Sequence, residues 1–280
     1  MSKSSNLGKQ ASDRRETLIR MEGLAVDFDR LSVLREINLS IPRGQTLAVI
    51  GESGCGKTVF LKTIIGLLRP TRGRVFLDGK SLTELNEREL TRQRIRFGFL
   101  FQQAALFDSM TVAQNVSFPL RQHTMKRDSD IHEIVLARLA EVGLPDDVMT
   151  KRPAELSGGM RKRVGLARAM ALEPEIVLYD EPTTGLDPIM SDVINELIIN
   201  TRRKHPVTSV LVTHDMRTAR KVADRIVMLF PLSRLHPDEP QIIYDGPARD
   251  IDTASDPRVS QFVRGEAGER LMEMQKQNAN

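Results

Sequence analysis

The octet GESGCGKT, residues 51–58, constrains this chain more than any other stretch, because it follows directly on the apolar run TLAVI. That run reads as a central strand covered on both faces. The segment after Lys57, TVFLKTIIGLL, carries Val59, Ile64, Leu67 and Leu68 at helical spacing. A stretch so poor in side chains buries little apolar surface, so its backbone must carry the function. Strand, then G-x-x-x-x-G-K-[ST], then helix is the context that a phosphate-binding loop requires. Glycines let successive amides curl into an anion-binding nest, and the following helix N-terminus adds partial positive charge. Lys57 can reach the outer phosphates of a nucleotide, and the Thr58 hydroxyl can hold Mg²⁺. Gly51, Glu52, Ser53, Gly54, Cys55, Gly56, Lys57 and Thr58 are therefore candidate nucleotide-binding residues. Cys55 lies at that helix N-terminus. Either its thiol has a lowered pKa, reacts with alkylating agents and is protected by bound nucleotide, or it is simply a small residue tolerated in the loop.

A nucleotide site needs more than a cradle. The run EIVLYDEP reads as a buried strand that delivers Asp180 and Glu181 at its C-terminal end, where parallel sheets bind ligands. Asp180 suits a Mg²⁺ role and Glu181 that of general base for an attacking water; by themselves the two acids could equally form a solvated turn. TSVLVTHD ends in His214, expected on a neighbouring strand within reach of a γ-phosphate. FGFLFQQ offers the Gln102 amide to Mg²⁺ and water. In LSGGM, Ser157, Gly158 and Gly159 open a helix, either as an ordinary N-cap or as a second anion-binding N-terminus. One phosphate loop needs one cradle, so a second suggests a nucleotide shared between two copies of the chain.

Around these motifs, residues 1–17 read as a polar, disordered extension. Strand-like segments begin at Leu18 and are separated by turn signals such as IPRGQ and PTRGR. Residues 103–172 look mostly helical. Within them SDIHEIVLARLAEVG places Ile131, Ile134, Val135, Leu139 and Val142 on one face, with Ser129 or Asp130 as cap and Gly143 as closure. Strand and helix then alternate, which implies parallel strands with crossover helices. Residues 266–280 read as a polar or helical tail, and residues 18–265 as one domain. The single cysteine excludes an internal disulfide and fits a reducing compartment. With 4% aromatic residues, no Trp and a net charge of +4, nucleic acid is not the expected partner. The first residues carry no apolar core of a secretory signal. No apolar stretch approaches the ~18 to 20 residues needed to cross a bilayer, so a membrane role must come through a partner.

Together these motifs resemble the ATP-binding cassette (ABC) ATPases over most of the chain. The resemblance implies an α/β fold of the P-loop NTPase kind, with a mixed but mainly parallel sheet core, an N-terminal antiparallel β subdomain and an inserted helical subdomain. It implies ATP and Mg²⁺ as ligands, with Thr58, Gln102 and Asp180 on the metal and Glu181, His214 and Gln102 in catalysis. It also implies a D-loop at Asp187 and a head-to-tail dimer, with ATP sandwiched between the phosphate loop of one copy and Ser157, Gly158 and Gly159 of the other. Phe28, in VDFDR, matches the aromatic that stacks on adenine; an aromatic in a β-rich segment is equally a core residue. Within the family, LSGGMRKRVGLARAMALEPEIVLYDEPTTGLDP and the later DPRVSQFVRGE look like the MlaF-type ATPases of Mla/Mce phospholipid transporters. Met160 stands where many cassettes carry Gln, a variant also found in peptide importers.

That subgroup implies a peripheral subunit on the cytoplasmic face of the inner membrane, with an integral-membrane permease and a lipid-binding Mce-domain protein as partners. The alternatives are the ATPase of a peptide or amino-acid importer and a non-transport regulatory cassette. FQQAALFDSMTVAQNVSF offers Leu106, Phe107 and Met110 either as a permease-docking surface or as core of the helical region. FPLSRLHPDEP, residues 230–240, departs from the family in being longer than the usual tight turn.

Overall fold

The structure, a computed structural model, describes residues 17–29 and 31–267. Most of the expected N-terminal extension and nearly all of the tail lie outside the described residues. Thr17, assigned to the extension, already belongs to β1 (Thr17–Phe28), which pairs antiparallel with β2 (Leu31–Pro42). Then follow β3 (Thr46–Ile50), α1 (Lys57–Ile64), β4 (Arg72–Leu77), β5 (Lys80–Ser81), α2 (Glu87–Arg94) and β6 (Phe97–Leu100). The helical region holds α3 (Val112–His123), α4 (Asp128–Glu141) and α5 (Gly158–Met170). β7 (Ile176–Asp180), α6 (Pro188–Lys204), β8 (Thr208–Thr213), α7 (Met216–Val222), β9 (Arg225–Leu229), β10 (Ile242–Pro247) and α8 (Pro257–Arg264) complete the described strands and α-helices.

The strands form two sheets. One is antiparallel, in the order β2-β1-β4-β5; the other runs β10-β9-β3-β8-β7-β6, parallel throughout except for the edge strand β10. Every residue of β3, β7 and β8 is buried, as expected of strands covered on both faces. Side-chain alternation along these strands divides the core. Ala48, Ile50, Val177, Tyr179, Leu211, Ile226 and Met228 face the helical side. Leu47, Val49, Ile176, Leu178, Val210 and Leu229 face α1 and the antiparallel sheet. α1 is thus clamped between the two sheets through Phe60, Leu61 and Ile64. The face expected from spacing was wrong in part: Leu67 lies beyond the helix end and is exposed, and Val59 is only half-buried.

α5 lies close against β6, and two glycines make that approach possible. A Cβ on Gly98 would stand 2.4 Å from the Ala169 carbonyl oxygen, and one on Gly165 would meet Leu100 at 2.9 Å. α4 starts earlier than the sequence suggests, with Arg127 as N-cap. Ser129 and Asp130 therefore fall inside its first turn, where Asp130 pairs with Arg127 at 3.1 Å instead of capping. Gly143 closes the helix in the left-handed region at φ +66°. Buried Asn115 at the start of α3 ties down the preceding loop. Its Oδ1 accepts from the Phe107 amide, and its Nδ2 donates to the carbonyls of Phe107, Met110 and Thr111. No described helix is long and apolar enough to cross a membrane.

Candidate active site

Parallel strands present their C-terminal ends on one side, and β3, β7 and β8 adjoin there in the order β3-β8-β7. The loop 51–58 leaves β3 at Gly51, whose φ of +147° and whose approach to the Leu229 carbonyl, 2.3 Å from an added Cβ, admit no other residue. Gly56 precedes α1 as its N-cap with no side-chain cap. In contrast, Asn86, Thr111, Ser157, Asp187, Asp215 and Asp256 cap their helices with side-chain oxygens. The first amides of α1 are thus left for an anion. Lys57, itself buried, curls back so that Nζ donates to the carbonyls of Gly51 at 2.8 Å and Glu52 at 2.9 Å.

β7 ends in Asp180, and Glu181 follows at φ +47°, a left-handed conformation that costs a non-glycine residue on the order of 1–2 kcal/mol. It is held on both sides: the Glu181 amide donates to Val212 O at 3.0 Å, and its carbonyl accepts from Lys162 Nζ at 3.1 Å. The twist aims the carboxylate across the strand ends. Glu181 Oε2 lies 2.8 Å from His214 Nδ1 and accepts from the Thr184 hydroxyl at 3.2 Å, while Oε1 is 4.0 Å from Lys57 Nζ. Asp180 Oδ1 accepts from the Thr58 hydroxyl at 3.2 Å. Burial pushes the Asp180 carboxyl above its ordinary range, against the Thr58 hydrogen bond that lowers it, and the neighbouring Glu181 charge pushes the same way as burial. A hydroxyl beside a buried carboxylate is a hard oxygen pair, suited to a cation that takes its remaining ligands from phosphate and water. No cluster of three or more His, Cys, Asp or Glu is found among the described residues.

The sequence-derived residues thus fall into two groups. Lys57, Thr58, Asp180, Glu181 and His214 come together under the phosphate loop. Among the described residues no hydrogen bond or ion pair joins Ser157, Gly158, Gly159 and Asp187 to them: Ser157 is exposed as the N-cap of α5, its hydroxyl accepting from the Met160 amide at 3.2 Å, and Asp187 caps α6. Gln102 stands between the groups, two residues past β6 and exposed, and shares with Gly158, Arg161, Lys162, Thr184 and Leu186 a cleft of about 770 Å³. Phe28 is 44% exposed at the end of β1, so it is no core residue.

Two findings lie outside the sequence reading or correct it. Lys162, one turn into α5, is buried on the same face as Gly159 and Leu166, and its Nζ donates to the carbonyls of both Gln102 and Glu181. Burial lowers its pKa to about 8 against the raising effect of Asp180 and Glu181. A lysine on an otherwise apolar helical stripe was the signal that could have found it. Cys55 is the correction. It is fully buried, packed in the core beneath the loop, and burial raises its pKa more than Lys57 and the local amides lower it. The expectation of a reactive thiol gives way to that of a small apolar residue filling space beside Gly51.

Comparison with known proteins agrees with this geometry. The family model described as ABC transporter matches residues 34–184. A relative in Mycobacterium tuberculosis, named probable ribonucleotide transport ATP-binding protein mkl, is 44% identical over 88% of this chain, which spans 66% of that relative's length. The intermembrane phospholipid transport system ATP-binding protein MlaF of Haemophilus influenzae is 37% identical, covering 90% of this chain and 92% of its own. Among solved structures, a dimeric ATP-binding cassette in a post-hydrolysis state, bound to ADP and Pi, superposes with a TM-score of 0.74 at 29% identity, over 83% of this chain and 99% of that one.

Treatment of the native chain with an aromatic disulfide reagent is expected to leave Cys55 unmodified, with one thiol appearing on denaturation. Rapid native labelling, suppressed by MgATP, would restore the reactive-thiol reading.

Proposed function

The chain belongs to the ABC transporter family, and from that premise we propose that it binds and hydrolyses ATP as the nucleotide-binding subunit of a membrane transporter that moves phospholipid. The observation that carries the catalytic part is the buried Glu181 carboxylate, 2.8 Å from His214 Nδ1 and 4.0 Å from Lys57 Nζ. The amides of residues 51–58 receive the phosphates, and Lys57 exchanges its loop carbonyls for their charge. Mg²⁺, when bound, neutralises charge on the outer phosphates; Thr58, Asp180 and the Gln102 amide are the residues that would hold it. Glu181 accepts the proton of the attacking water. His214 holds that carboxylate through Nδ1 and meets the γ-phosphate through its other nitrogen. Phe28 stacks on adenine. Ser157, Gly158, Gly159 and Asp187, set apart from this cluster within one chain, serve the nucleotide of a second copy, so the working unit is a head-to-tail dimer.

An integral-membrane permease is the proposed second partner, seated on the groove lined by Phe97, Phe99, Phe101, Phe107 and Phe118. Phe107 is 41% exposed with its ring 4.7 Å from that of Phe118, whereas Leu106 packs half-buried against the helical core. Of the residues expected to dock, Phe107 fits that role, and Leu106, packed against the helical core, fits it less well. The phospholipid assignment, with an Mce-domain lipid-binding protein as third partner at the cytoplasmic face of the inner membrane, draws on the MlaF relative and on the motifs that resemble its group. The name of the mycobacterial relative speaks for a nucleotide cargo instead, which keeps a solute importer as the second reading.

Glu181→Gln keeps size and hydrogen bonding but cannot take a proton. ATP should still bind, turnover should fall by ~10² to 10⁴-fold, and an ATP-held dimer should accumulate in size-exclusion chromatography; normal turnover rejects Glu181 as the base. Phe107→Asp places a charge in an apolar contact and should shift the chain from the membrane to the soluble fraction without lowering its melting temperature. The intact complex isolated in mild detergent should contain phospholipid and an Mce-domain subunit by mass spectrometry. A solute-binding subunit with no bound lipid would transfer the assignment to the importer.

A further inference from the structure

The departure at residues 230–240 is not a slack loop. Residues 230–241 leave β9, make a short 3₁₀ turn at Leu232–Arg234 and return to β10 across the back of the phosphate loop. Gln241, 1% exposed, donates from Nε2 to the carbonyls of Cys55 at 3.2 Å and Val33 at 2.9 Å and accepts from the Arg35 amide. The Arg35 guanidinium donates to the carbonyls of His236 and Glu239. Arg234 and Arg258 stack their guanidinium groups on buried Phe230, 4.8 and 5.0 Å from the ring centre. Arg258, from α8, also pairs with Glu239 and Asp256. The result is a braced platform that presents one charge to the nucleotide loop: Arg234 Nη1, 2.5 Å from Glu52 Oε1.

Glu52 poses an electrostatic problem. It is the second residue of a loop that must receive a polyphosphate, its side chain is three-quarters buried, and its own carbonyl is a partner of Lys57. A carboxylate there opposes the incoming anion, and partial burial weakens the solvent screening that would otherwise mute it. We infer that Arg234 is a positioning and charge-compensating residue for nucleotide binding: it neutralises Glu52 and holds the carboxylate away from the phosphate face of the loop. Affinity for ATP then depends on a segment far outside the phosphate-loop motif, and, through Arg258 and Glu239, on the seating of α8. This rests on the ATP-binding reading above.

The test is equilibrium titration of the purified full chain with a fluorescent ATP analogue in the presence of Mg²⁺. Arg234→Ala should weaken binding by about tenfold, the size expected when a charge partner at this depth is removed. Glu52→Gln combined with Arg234→Ala should return the dissociation constant to within about twofold of wild type, since the charge that needed compensation is gone. Arg234→Lys, which keeps the charge, should bind within about threefold of wild type and supplies the answer if the alanine variant fails to fold. Unchanged affinity in Arg234→Ala overturns the inference. So does a double variant as weak as the single one, which would make Arg234 a scaffold residue only. Failure of the wild-type chain to bind the analogue would overturn the ATP reading itself, a result distinct from either.

Discussion

Asp180 and Glu181 are consecutive carboxylates exposed by only 6% and 8%, and carboxylates taken out of water survive only where cations and donors meet them. That requirement organises the surroundings. Lys57 and Thr58 come from the phosphate loop where it enters α1 and His214 from the end of β8, while Lys162 of α5 holds the Glu181 carbonyl. Three separate pieces of chain must be in register before the pair is satisfied. The parallel pairing that sets Asp180 opposite Val212 brings the Glu181 amide onto the Val212 carbonyl. The sheet therefore fixes the geometry of the two carboxylates to within the tolerance of a hydrogen bond, and β7 and β8 have no exposed residue that would let them slip.

Much of this was legible in the sequence because it is local. TLAVI, EIVLYD and TSVLVT are apolar runs of strand length bounded by turn or cap residues; the first runs into the phosphate loop, and the other two lead to Asp180 and His214 at their C-terminal ends. Ser157 as the N-cap of α5 follows from the same local logic. What escaped was set at long range. The buried face of α1 is decided by its being sandwiched between two sheets, so Phe60 and Leu61 turn inward where spacing alone favoured Val59 and Leu67. The acidity of Cys55 is decided by burial, which outweighs the helix N-terminus that suggested reactivity. Glu52 meets Arg234 across 182 positions of chain, which no window of sequence could pair.

Lys162 belongs to both groups. Its position on an apolar stripe was readable, but its partners were not, since Gln102 and Glu181 reach it from opposite sides of the chain order. A lysine bonded to two carbonyls, close enough to two carboxylates to keep a pKa of about 8 despite burial, is tolerated because these partners are acceptors.

The same helix grips the Gln102 segment a second time. Arg168 donates to the carbonyls of Ala104 at 2.6 Å and Ala105 at 2.8 Å, while Lys162 holds the carbonyl of Gln102. Ala104 and Ala105 both stand in the left-handed region, at φ +59° and +46°. Strain of about 1–3 kcal/mol per residue persists only where the surroundings over-determine it, and here α5 supplies the determining donors. One rigid helix therefore carries the exposed Ser157 terminus at its start, the support of the Glu181 carbonyl one turn later, and the clamp on the loop leading to Phe107 near its end. A displacement of α5 cannot reach one of these without reaching the others. In a chain whose apolar groove and carboxylate cluster lie on different elements, α5 is an element that touches both.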